Sequence, residues 1–148
     1  MWRLAVALLC AVLSLAAQAL VPGPEGDCGF SGFAPRRMAH FVDKGALEKV
    51  LPQYPPAAKA KGLGGTVRVK LLIDKQGLVA RTCPVYVRQE RKPDRSLVVA
   101  AEAAALHWKF KPNFGVEPTG GVRFDYVYDV VLFEFDPASQ NTRQLPAR

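Results

Sequence analysis

The amino-acid sequence predicts an α+β domain of two layers: a three-stranded antiparallel sheet covered by a helix, with a short preceding helix. Three observations carry that reading. Val67, Val69, Leu71 and Ile73 alternate with Arg68 and Lys70, the two-residue period of a half-buried strand. The alanine-rich stretch from Leu97 to Trp108 repeats its apolar residues at helical spacing. A last alternating stretch runs from Val122 to Phe135. The 148 residues leave room for one domain.

The N-terminus reads as an export leader. Arg3 precedes an almost unbroken apolar run from Leu4 to Leu15, and Ala17-Gln18-Ala19 supplies the small-x-small pattern at which a signal peptidase cuts. Residues 1–19 are thus expected to be removed, and Pro22 and Pro24 speak against a helix passing through the junction. An uncleaved anchor is the alternative, because Leu4 to Val21 is near the minimum length for spanning a bilayer. Of the three cysteines, Cys10 leaves with the leader. Cys28 and Cys83 can then pair in an oxidising compartment. A bridge between them ties the irregular arm to a strand and contributes about 3–4 kcal/mol.

Residues 20–51 form an N-terminal arm. Gly and Pro dominate its first part, whereas Ala39, Val42, Ala46, Leu47 and Val50 suggest a short helix between Arg36 and Val50. Pro56-Ala57-Ala58-Lys59-Ala60-Lys61 makes one or two helical turns, with proline at an early position and Gly62 as the stop. After the first strand, Asp74-Lys75-Gln76-Gly77 is a hairpin turn, and the second strand runs from Leu78 to Val87.

The polar Arg88–Arg95 segment is a loop, and Asp94 or Ser96 caps the following helix. Leu97, Ala101, Ala104, Ala105 and Trp108 share one helix face, and Pro112 ends the element. In the last strand Val122, Phe124, Tyr126, Tyr128, Val130 and Leu132 share one parity and are expected to face the core. Val127, Val131, Phe133 and Phe135 make the second face partly apolar as well, so the strand is either covered on both sides or awaiting a partner. Residues 136–148 are expected to fray as a flexible tail.

Composition narrows the function. With Arg3 removed from the 20 Lys and Arg, 19 remain against 13 Asp and Glu, a net charge of about +6 spread along the chain. No aromatic-basic interleaving marks a nucleic-acid surface. His40 and His107 are the only histidines, and no His/Cys/Asp/Glu cluster has metal-ligand spacing. Phosphate-loop and nucleophile-elbow motifs are absent. The reading is therefore non-enzymatic, with no cofactor, metal or small-molecule substrate. A small exported hydrolase using His40 or His107 is the weakest alternative.

From about Tyr54 to Phe135 the chain resembles the C-terminal domain of TonB-type energy transducers. The resemblance rests on Tyr54-Pro55-Pro56 with Gly62, on Gly65-Thr66-Val67 followed by Asp74-Lys75-Gln76-Gly77, and on Ala101–Ala105 with Trp108, Phe110, Lys111 and Pro112. It sets a TonB C-terminal-like domain at residues 52–135. It implies a periplasmic module that docks onto outer-membrane transporters by pairing a sheet edge with an extended segment of the partner. By that analogy Val122–Phe135 is the receiving edge, and Tyr54, Pro55, Tyr126, Tyr128, Val130 and Phe133 are candidate partner-binding residues. The same edge can pair with a second copy of the chain. The family's long proline-rich linker is missing, and a cleaved leader removes the connection to an inner-membrane motor. A membrane-anchored short energy transducer is the alternative.

Overall fold

A computed structural model of the chain describes residues 28–30, 32–35, 46–112 and 125–146. The export leader, most of the expected arm helix, His40 and Val122–Phe124 lie outside those residues. The described elements are β1 (Ala34–Pro35), β2 (Ala46–Glu48), α1 (Pro56–Ala60), β3 (Gly65–Asp74), β4 (Val79–Val85), α2 (Arg95–Leu106), β5 (Lys109–Phe110), β6 (Tyr126–Asp136) and β7 (Asn141–Leu145). Four strands form an antiparallel sheet in the order β4-β3-β6-β7, and the two-residue β1 adds to β6 in parallel. β2 and β5 make a small second sheet.

Local chemistry places the first elements. Pro56 starts α1 at a position where its missing N–H costs nothing. Gly62, at φ +61°, ends it: the Gly62 N–H bonds the Lys59 carbonyl at 3.0 Å and the Leu63 N–H reaches Ala58 at 2.9 Å. In the β3–β4 turn the Asp74 carboxylate accepts the N–H groups of Gln76 and Leu78 at 3.0 and 2.9 Å. Gly77 takes φ +84° there, and a Cβ on it would lie 2.1 Å from the Phe110 carbonyl oxygen, so both turn and packing demand glycine. Asp94 is the cap of α2, accepting the Ser96 N–H at 2.9 Å.

The core lies on one side of the sheet. Val67, Val69, Leu71 and Ile73 of β3 are buried beside Val127, Val131, Phe133 and Phe135 of β6. Leu97, Val98, Ala101, Ala104 and Ala105 of α2 cover them, and small side chains let the helix lie close to the sheet. Trp108 packs edge-on against Phe133 at 5.7 Å and donates its Nε1–H to the Val50 carbonyl at 2.9 Å. Tyr54 meets Phe135 edge-on at 5.4 Å, and its hydroxyl bonds the Leu63 carbonyl.

Four expectations change. The sheet has more than three strands, because β7 and β1 both add to β6. The tail does not fray between Asn141 and Leu145: Arg143 pairs with Glu134, and the Thr142 hydroxyl bonds the Pro52 carbonyl at 2.8 Å. Ala46–Glu48 is a strand rather than part of a helix, since β5 supplies a partner and Lys109 meets Glu48 at 2.9 Å. Finally, the face parity of the last strand is reversed. Val67 lies opposite Phe133, and Val69 opposite Val131, which turns the odd-numbered residues inward.

Candidate partner-binding site

With the odd residues of β6 in the core, Tyr126, Tyr128, Val130 and Leu132 stand on the opposite face of the sheet. Arg68, Lys70 and Leu72 of β3 and Arg81 and Cys83 of β4 share it by register. The N-terminal arm crosses this face. Cys28 and Cys83 form a disulfide with Cα atoms 5.9 Å apart, which fixes one end of the arm on β4. Phe30 is fully buried, and Leu72, on the same face of the sheet, is 4% exposed. The Arg81 guanidinium lies 5.2 Å and the Lys70 ammonium 5.7 Å from the Phe30 ring centre. Lys70 also sits 4.3 Å from the Tyr128 ring centre. Phe33 then packs edge-on against Tyr126 at 5.8 Å, and Ala34–Pro35 follow as β1 beside Val127 and Tyr128.

The outer side of β6 is therefore partly occupied, contrary to an edge free along Val122–Phe135. β1 takes Val127 and Tyr128, and β7 takes Leu132 to Asp136. Asp129 to Val131 lie between them with no strand on that side among the described residues, and the Val130 N–H donates to the Asp129 carboxylate at 2.9 Å. The other border of the sheet is β4. Along Val79–Val85 no strand flanks it among the described residues, but Pro84 lacks an N–H and Arg81 adds charge. Both features discourage edge pairing.

The candidate residues fall into two groups. Tyr126, 40% exposed, and the half-buried Tyr128 and Val130 line the arm-covered face. Phe133 is fully buried against Trp108, on the helix side. Tyr54 is buried too, and desolvation, assisted by the Asp136 charge, pushes its phenol above the usual range. Pro55 is half-buried as the residue ahead of α1 and borders a groove with Leu51, Ala103 and His107. His107 caps the end of α2 and is exposed. Among the described residues no three His, Cys, Asp or Glu side chains gather as metal ligands. No described helix is long and apolar enough to cross a membrane.

The arm contacts were missed by the sequence reading apart from the cysteine pair. The available signal was Phe30 and Phe33, two large apolar residues in an otherwise Gly- and Pro-rich stretch.

Residues 50–127 match the family model described as the Gram-negative bacterial TonB protein C-terminal. The match takes in α1 through α2 and β5 and stops at the second residue of β6, so the arm and most of β6 and β7 lie beyond it. No curated protein and no solved structure matches the chain. Spanning just over half of the 148 residues, the match shows that the chain belongs to the TonB C-terminal domain family, a family of non-enzymatic transducer modules that interact with outer-membrane transporters.

Proposed function

We propose that this chain is a periplasmic protein-interaction module that takes an extended segment of an outer-membrane transporter, or of another envelope protein, by strand addition to β6. The supporting observation is the arm. An extended stretch, Ala34–Pro35, lies in register beside Val127 and Tyr128, so this side of β6 accommodates an added strand. Strand addition draws affinity from main-chain bonds and specificity from alternate side chains. An incoming segment has Val127 to Val131 for the first and Tyr126, Tyr128 and Val130 for the second. Tyr54, Pro55 and Phe133 act from behind, holding α1 and the core that keep β6 in place.

The leader reading puts the domain free in the periplasm, where it binds without carrying force from an inner-membrane motor. Intact mass of the exported protein checks this: loss of residues 1–19 is expected. Binding is tested by NMR titration of the mature chain with N-terminal peptides of outer-membrane transporters. Shifts centred on Val127–Val131 are expected, and a flat response of β6 at millimolar peptide sinks the proposal.

A further inference from the structure

We infer that the disulfide-tethered arm is an internal pseudo-ligand: it occupies the peptide site on β6 and its adjoining face, and an external segment must displace it. This rests on the strand-addition reading and names how that same site is guarded.

The arm carries both parts of a peptide ligand. Its aromatic anchor, Phe30, is buried, with the Lys70 and Arg81 cations against its ring. Its backbone part, Ala34–Pro35, pairs with β6. The second part is weak by construction. Among the described residues only Ala34 and Pro35 of the arm pair with β6, and Pro35 has no N–H to donate. Cys28, at the tether, sits at φ +55°, in the left-handed region that residues other than glycine rarely adopt.

Beside the packing of Phe33 on Tyr126, what keeps so short a strand near β6 is the Cys28–Cys83 bond. It anchors the arm six residues before Ala34 and keeps the local concentration of the competing strand high. An external segment with an aromatic side chain for the Phe30 position and an extended backbone beside Val127 and Tyr128 competes for the same contacts, and the tether weighs against it. The site thus selects extended segments carrying an aromatic residue, and affinity is set by how often the arm is away.

The test uses a synthetic peptide of the arm's own sequence, Gly29–Pro35, titrated by NMR into the mature chain and into Cys28→Ser/Cys83→Ser. The peptide is expected to bind the double variant at least about tenfold more tightly than the disulfide-bonded protein, with shifts at Tyr126–Val131. Phe30→Ala, which keeps the disulfide but removes the anchor, is expected to move affinity in the same direction and decides the matter if the double variant fails to fold. Equal affinity across the three proteins, or no binding to any of them, overturns the inference. A transporter peptide that binds none of the proteins, while the arm peptide binds the opened ones, removes the transporter reading and leaves the arm's role standing.

Discussion

The two faces of the sheet are covered in different ways. On the helix side, α1, α2, Tyr54 and Trp108 close over Val67–Ile73 and Phe133–Phe135, and every contact belongs to the interlocked core. On the other side, residues 28–30 and 32–35 of the arm lie against β4, β3 and β6, joined to them by the disulfide, the buried Phe30, the packing of Phe33 on Tyr126 and the two-residue β1. The first cover cannot leave without unfolding the domain. The second can lift while the sheet stays whole. Burial alone does not separate the cases, since Phe30 and Phe133 are both fully buried. What separates them is how much else must move when the side chain leaves.

The sharpest contrast is therefore in truncation. Trp108→Ala removes a side chain 2% exposed, its packing on Phe133 and the bond to Val50. It is expected to lower stability by about 3–5 kcal/mol, read from urea melts. The next largest effect belongs to Cys28→Ser/Cys83→Ser. Freeing a 55-residue separation relaxes the unfolded chain by up to about 4 kcal/mol. Undocking of the arm returns part of that to the native state, so the measured loss is expected to fall short of that figure. Phe30→Ala comes third. A core phenylalanine costs about 3–5 kcal/mol to truncate, but the loss here is limited by the arm's own docking and is expected to be nearer 1–3 kcal/mol. A loss equal to that of Trp108→Ala would make the arm part of the core and erase the contrast.

The smallest effect concerns acid. The Ser96 hydroxyl, and then its N–H, bond the Asp94 carboxylate and hold it below the usual carboxylate range. A depressed folded value means that the cap's contribution is present above about pH 4 and is lost as pH falls below it. Asp94→Asn is expected to flatten the acid limb of a stability–pH profile while leaving the arm docked.

How much of this was legible in the sequence follows the same division. The helix-side elements were readable because their signals are local: alternation in Val67–Ile73, turn chemistry in Asp74–Gly77, proline and glycine around α1, and a cap ahead of α2. The parity of β6 was not, because both of its faces are apolar and only the register against β3 chooses between them. β7 was hidden for a related reason. Asn141–Leu145 has little hydrophobic pattern, and its place depends on Glu134 and Pro52, the latter far away in sequence. A turn signal was nonetheless present, as the Asp136 side chain binds the Ala138 N–H and the Ser139 hydroxyl. Of the candidate site, Tyr126, Tyr128 and Val130 share one surface, while Tyr54 and Phe133 serve the core. Large aromatic residues look alike in a sequence whichever face they end on.

If β6 is a peptide site, a foreign strand must be able to take the arm's place. A crystal structure of the Cys28→Ser/Cys83→Ser chain bound to a transporter N-terminal peptide tests this most directly. The peptide is expected alongside Val127–Val131, with Phe30 and Ala34–Pro35 lifted from the sheet. A peptide seated elsewhere, with Phe30 still against Lys70 and Arg81 and Ala34–Pro35 still beside Val127 and Tyr128, would contradict it.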